Sequence, residues 1–433
     1  MINLIVLLLS VLPAILILRK SRGDSFNSGI IFLCIGYVFY AGYCILLFDL
    51  PTYYLWMYLI FSFVFFVALN LSYKLFYKVG INSGAYFENF FDVHLNKKNK
   101  NIIIFIYVGL SIFPLLFPEF RIFDLFRPPI PDLKYSFELQ FENIEKSPFS
   151  SLVDLIKQLL FPFFLIALYS RSKKILFPFL ILTLVFYIEY VVFKYKSRGQ
   201  LIVNYFPLLF FYWCNFPRRR LFVIFISLAL IPSILLLFGF YEIYRLDSAA
   251  TIGQFDIWRS GEHIIRSETG FVDSVGIALI ESGARADLLD YFKWIVTLPI
   301  PKFIFGSIAG ARINTEVSEI ILGTGRGGVG FYIVLPGLIA ESNYIYGANF
   351  FWLHALMLGV LIAFLLRLFG GNKEFTYLIG YIFVLAMYNL NRGGIASFLP
   401  QIVNQLFFLY VIFAAYKFKL IRKKSPEIKY FSR

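Results

Sequence analysis

Arginine followed directly by glycine is a pairing suited to holding phosphate oxygens. The chain carries it as Arg198-Gly199 in Phe-Lys-Tyr-Lys-Ser-Arg-Gly-Gln and as Arg392-Gly393 in Asn-Leu-Asn-Arg-Gly-Gly. It recurs as Arg326-Gly327 inside Gly323-Thr-Gly-Arg-Gly-Gly-Val-Gly330. The guanidinium is a rigid fork of donors that matches phosphate bidentately and stays charged at any relevant pH. Glycine beside it lets backbone N–H groups reach the same anion. Arg245, Arg259, Arg266, Arg285 and Arg312 are further cations that could join such a site, although each alone reads as a solvated loop charge. Glu341 stands in Leu335-Pro-Gly-Leu-Ile-Ala-Glu-Ser-Asn-Tyr-Ile-Tyr-Gly347, where a carboxylate could act as general base, bind a sugar hydroxyl, or pair with an arginine. His94, His263 and His354 do not stand at ligand spacing, which argues against a His-based metal site. Cys34, Cys44 and Cys214 lie in apolar runs without a Cys-x-x-Cys motif and read as small buried residues. There is no Walker A motif, no Gly-x-Ser-x-Gly and no Asp-x-Asp, so nucleotide-driven transport and nucleotide-sugar chemistry lose support. No metal or cofactor is implied.

The elements that must position these residues are membrane helices. Of 433 residues, 59% are hydrophobic and only 15% charged, and the mean hydropathy is +0.75. A soluble chain is about half apolar and about a quarter charged, so most of this one could not face water. By the rule that a bilayer core needs roughly 20 apolar residues, about eleven spans are expected. They lie near 2–18, 30–48, 53–73, 101–118, 152–169, 175–193, 200–214, 221–241, 348–366, 375–390 and 398–416. Pro207 falls inside the short seventh and is expected to kink it. The first stretch has no basic residues before it and Arg19, Lys20 and Arg22 after it, so it reads as a helix and not as a cleaved leader.

The net charge of 40 − 26 = +14 could suggest nucleic acid until the cations are sorted by side. Alternate loops collect Arg19, Lys20 and Arg22; Lys74, Lys78, Lys97, Lys98 and Lys100; Arg171, Lys173 and Lys174; Arg218 to Arg220; Arg367 and Lys373; and the tail from Lys417. The positive-inside rule then places the N-terminus outside and the C-terminus in the cytoplasm. Lys194, Lys196, Arg198, Arg326 and Arg392 fall on the outer side instead. Snorkelling to headgroups accounts for one such arginine; repetition of the Arg-Gly pair suggests guanidinium groups around an outer cavity. Glu189, within the sixth span, could carry protons or partner an outward cation.

Four regions follow: a membrane bundle over 1–241 with a Pro-rich outer segment near 119–151, a large outer loop over 242–347 between the eighth and ninth spans, membrane helices over 348–416, and a basic tail over 417–433. Within the large loop, 284–296 sets Leu288, Leu289, Phe292, Ile295 and Val296 largely opposite Arg285, Asp287, Asp290 and Lys293, as in a helix lying on a membrane surface. Leu-Pro-Ile-Pro-Lys at 298–302 ends it.

This architecture, with Lys-Ser-Arg-Gly-Gln opening a span, the 335–347 run and Trp-Ile-Val-Thr-Leu-Pro-Ile-Pro-Lys-Phe-Ile-Phe-Gly at 294–306, resembles the Wzy-type O-antigen and capsule oligosaccharide repeat-unit polymerases. The likeness covers the whole chain in architecture but only these stretches in sequence. It implies an all-α polytopic, GT-C-like fold in a bacterial inner membrane, with its active site on the periplasmic face. It also implies glycosyl transfer between two undecaprenyl-diphosphate-linked oligosaccharides, without nucleotide, and a chain-length regulator protein as a partner. On that basis Arg198, Arg326, Arg392, Arg312 and Arg285 would bind diphosphate, Arg198 acting also in catalysis with Glu341 as the base. Tyr344, Tyr346, Trp258 and Trp294 would stack on sugars, although interfacial aromatic belts explain such residues equally well. An O-antigen ligase of similar fold and a lipid-linked oligosaccharide flippase stay open as alternatives; a flippase is expected to show internal repeats, and none is visible.

Overall fold

The computed structural model describes residues 2–20, 24–79, 97–113, 148–171, 176–192, 199–226, 269–298, 313–325, 333–369 and 376–404, with a few isolated positions besides. Everything regular among them is helical. α1 spans Ile2–Lys20, α2 Asp24–Gly36 and α3 Tyr43–Leu47, with a π-helical turn at Tyr37–Gly42 joining the last two. α4 (Thr52–Lys78), α5 (Lys97–Ile112), α6 (Pro148–Arg171), α7 (Leu176–Val192) and α8 (Gly199–Asn215) follow. Then come a second π-helical turn at Val272–Ile277, α9 (Ala278–Glu281), α10 (Leu288–Thr297), α11 (Ile313–Leu322) and α12 (Leu338–Tyr346). α13 (Phe351–Phe369) and α14 (Thr376–Leu385) lead through a third π-helical turn, Ala386–Leu390, into α15 over 391–404.

Among the described residues, three helical stretches are long and apolar enough to cross a membrane: Phe26–Leu46, Thr52–Lys78 and Phe351–Phe369. Shorter apolar helices occupy Asn3–Leu18, Leu159–Leu168 and Leu176–Val185. Their outer surfaces are apolar too, with Trp56 61% and Leu8 59% exposed. Such a surface suits lipid and not water, which makes this a helical protein of membrane character.

In lipid, burial away from water no longer drives helix pairing; close packing does. The main example is α4 against α13. A Cβ on Gly359 would stand 2.8 Å from Ala68 Cβ, Leu69 N and Phe65 O, so glycine is what lets the two backbones approach. Eight residues on from Phe65 and from Gly359, Arg367 donates its Nε to Tyr73 O at 2.9 Å and lies over the rings of Tyr73 (3.6 Å) and Tyr77 (4.6 Å). The helices therefore run parallel and bring Lys74, Lys78 and Arg367 to one end.

Further contacts fix the other directions. Asn3 Nδ2 donates to Ile45 O and Gly42 abuts Leu7, so α1 runs against α2–α3 and parallel to α4. Gly29 and Gly36 of α2 fit against Phe383 and Met387, so α14 and its π turn run with α2. Phe210 and Phe211 of α8 meet Phe383 and Tyr377 in the opposite sense. α1, α4 and α13 thus share one direction, and α2 and α14 the other.

One expectation needs adjustment. The tenth and eleventh apolar stretches are not separated by a loop: helix continues from Thr376 through the π turn into 391–404, interrupted at Gly394, whose φ is +65°. The seventh expected span is α8, with Pro207 inside the helix. The Pro-rich 119–147 region, most of the eighth span and the tail lie outside the described residues.

Candidate functional site

The described parts of the long loop gather at the end of the bundle opposite Lys74, Lys78 and Arg367. Cys44 Sγ, in α3, contacts Thr269 O at 3.3 Å, and Tyr53, at the start of α4, donates its hydroxyl to Glu281 Oε1 at 3.2 Å. Gly276, in the second π turn, sits against Pro336 O and Ala340.

The hub of this end is α12. Glycines in the left-handed region bound it, Gly337 at φ +77° and Gly347 at φ +82°. Its residues Leu338 to Ile345 are all buried. Each neighbouring segment attaches to a different residue of it. Arg285 Nη1 donates to Asn343 O at 2.6 Å, and the Ala286 N–H donates to Tyr344 O at 2.9 Å. A cation and an N–H thus cap the carbonyl end of the helix, where they oppose its dipole. Tyr344 donates its hydroxyl to Glu316 Oε2 of α11 at 3.1 Å. Asn314, two residues after Arg312, donates to Ser397 Oγ of α15 at 3.4 Å.

The most informative attachment is Glu341. The side chain is fully buried, and its Oε2 and Oε1 accept the Ile395 and Ala396 N–H groups at 2.5 and 2.9 Å. Those donors are available because Gly394 breaks the helical ladder, leaving the next N–H groups without carbonyls one turn back. Burial raises the carboxyl pKa to about 8, against the pull of the two N–H bonds toward the charged form. The backbone N–H groups beside Arg392 are therefore taken by the protein's own Glu341 carboxyl group.

Arg392 lies just before the break. Its Nη1 donates to Tyr388 OH at 2.7 Å, within the third π turn. Asn391 takes up the Ala386 and Met387 carbonyls, both at 3.0 Å, that this turn leaves behind. Tyr388 meets Tyr40 of the first π turn edge-on at 5.8 Å, and Tyr40 in turn approaches Phe271, which opens the second, at 6.4 Å. All three π turns thus converge on Tyr40. Such turns cluster at functional sites.

α10 begins at Asp287, which accepts the Leu289 N–H at 2.8 Å, a standard side-chain cap. Its Tyr291 and Trp294 are buried against the hub, while Leu289 and Val296 remain 63% and 73% exposed. The apolar face expected to lie on a membrane is thus directed outward, beside the Lys293–Asp290 ion pair at 2.9 Å.

Of the residues singled out from sequence, Glu341, Arg392, Arg285, Tyr344 and Tyr346 belong to this assembly. Tyr344 is buried and ties α12 to α11, so its ring face is taken. Tyr346 is half-buried and donates to Met357 Sδ at 3.2 Å. Arg198, Arg312, Arg326 and Trp258 lie outside the described residues, although Gly325 and Gly328, on either side of Arg326 and Gly327, share a backbone hydrogen bond of 2.9 Å. Sequence reasoning missed Tyr40, Tyr388, Asn391 and the buried pair Ser342–His354, whose Oγ and Nδ1 are 2.7 Å apart. Among the described residues no group of three His, Cys, Asp or Glu side chains could hold a metal ion. Comparison with family models, curated proteins and solved structures finds no match for the chain.

Proposed function

We propose that this chain is a polytopic glycosyltransferase of the bacterial inner membrane that polymerises undecaprenyl-diphosphate-linked oligosaccharide repeat units on the outer face. The reading takes the chain to have about eleven spans, the last two meeting at the helical junction around Gly394, with an outside N-terminus and a cytoplasmic C-terminus. The observation that supports it most is the broken helix at Gly394, where Arg392 borders two backbone N–H groups already engaged with a carboxylate. This corner sets a guanidinium and two backbone donors close together in the chain, at the bundle end opposite Lys74, Lys78 and Arg367.

In the reaction, an acceptor-sugar hydroxyl attacks the anomeric carbon of the donor chain. The bond between that carbon and the diphosphate oxygen breaks, undecaprenyl diphosphate departs, and the hydroxyl proton passes to a base. Charge develops on the leaving diphosphate, and fixed cationic donors such as Arg392 and Arg285 oppose it most strongly. The sugar–diphosphate bond is already activated, so no nucleotide is consumed. A chain-length regulator protein is the expected partner.

Deleting the gene and resolving surface polysaccharide on a gel tests this. A polymerase loss leaves lipid cores bearing a single repeat, whereas bare core with polymer stranded on its carrier identifies a ligase. Complementation by Arg392→Lys should cut polymer at least about tenfold if a bidentate donor is required; a wild-type ladder would reject that assignment of Arg392.

A further inference from the structure

Behind α10 lies a pair of polar groups with no use in the fold. Ser342 has one hydroxyl hydrogen, which it donates to Leu338 O at 2.6 Å one turn back in α12. With that hydrogen placed on Leu338 O, the 2.7 Å contact with His354 Nδ1 is assigned as one in which the imidazole donates. Nδ1 carries the hydrogen, and Nε2 is left as a bare acceptor. His354 is fully buried, and Nε2 has no partner. Facing the same imidazole is Tyr291, whose ring stands perpendicular to it with centroids 6.5 Å apart. Tyr291 is 1% exposed, and its hydroxyl is also without a partner. Tyr346 completes the enclosure, 6.3 Å from Tyr291 and 5.5 Å from His354, and Trp294 stacks on Tyr291 at 6.0 Å.

A buried donor and a buried acceptor on neighbouring rings, neither satisfied, each cost stability, and proteins keep such groups where a function requires them. Their polarity also specifies the missing group. It must accept from Tyr291 and donate to Nε2, which an ionised carboxylate cannot do and a hydroxyl can. We propose that the space under α10 between Tyr291 and His354 is a binding site for one neutral hydroxyl group, with Tyr291 donating to its oxygen and His354 Nε2 accepting its hydrogen. The site rests on the function proposed above, in which that hydroxyl belongs to the acceptor sugar, and the Tyr346–Trp294 enclosure supplies the aromatic walls a sugar ring favours.

The test compares variants that separate fold from binding. His354→Asn keeps a donor toward Ser342 and has nothing at Nε2; His354→Gln places an acceptor where Nε2 was. Tyr291→Phe removes only the hydroxyl. In the deletion strain, His354→Asn and Tyr291→Phe should lower polymer about tenfold or more, the effect of one lost hydrogen bond to a buried group, while His354→Gln restores part of it. In detergent, Tyr291→Phe should melt at the wild-type temperature or above, because an unpaired buried hydroxyl has been removed. A lower melting temperature with an intact ladder would show a structural water bridging the pair and overturn the proposal. Full ladders from all three variants, with the deletion still defective, would overturn this site and leave the polymerase reading standing. Should the deletion itself leave polysaccharide unchanged, the polymerase reading falls and binding alone decides. Methyl glycosides of glucose, galactose and mannose would then be titrated against the fluorescence of purified full-length protein, with Trp294→Phe identifying the Trp294 signal. Quenching lost in Tyr291→Phe and His354→Asn supports the site, and no quenching, or quenching equal in all, refutes it.

Discussion

Burial and hydrogen bonding pull the Glu341 carboxyl in opposite directions, and burial prevails, holding its pKa at about 8 where an ordinary glutamate titrates at 4.5. Between those values the folded chain binds more protons than the unfolded one, so stability is highest on the acid side and declines as pH rises through 8. Melting in detergent across that window should show the decline in wild type, and Glu341→Gln should flatten it. A flat wild-type profile would mean that Glu341 is solvated or otherwise paired. Gly394→Ala should be among the most damaging small substitutions, because φ +65° disfavours alanine and the added Cβ would coincide with the Glu341 carboxylate. A loss of at least about 2 kcal/mol is expected from the backbone and overlap terms together, read as a lower melting temperature. The sequence made the Arg-Gly-Gly corner legible as a place where backbone N–H groups meet an anion. It could not show that the anion comes from Glu341, because the two are brought together only by folding across 54 residues.

Helices contribute at a different scale, by fixing which ends meet. α4 and α13 approach so closely at Gly359 that Gly359→Leu should force them apart. Overpacking of this kind costs about 1–3 kcal/mol, and the variant should lower both melting temperature and membrane yield; unchanged values would contradict the parallel packing of α4 on α13. The apolar stretches that became α4 and α13 were readable because length and hydropathy alone define a membrane helix. The three π turns were not, since one inserted residue leaves no periodic mark in a continuously apolar segment. Nor was the junction at Gly394, where the apparent gap between two apolar stretches is itself helical. α10 was legible as amphipathic, but Tyr291 and Trp294 point inward by tertiary choice, and their packing with Tyr346 and His354 has no linear signature.

At the scale of the whole molecule, charge organises the account. Lys74, Lys78 and Arg367 collect at one end of the parallel pair α4 and α13, and α12 with its attached segments occupies the other. On the proposed function, most of the +14 serves orientation, and the cations at the α12 end are left for chemistry. The central claim is that this end joins sugars from a polyprenyl diphosphate. The most direct measurement reconstitutes the purified protein in liposomes with undecaprenyl-diphosphate-linked repeat units and no nucleotide. The expected product is a ladder of lengthened oligosaccharides, with one undecaprenyl diphosphate released for each glycosidic bond formed. Lipid-linked units that stay single, whether left in place or moved unaltered across the bilayer, would contradict it.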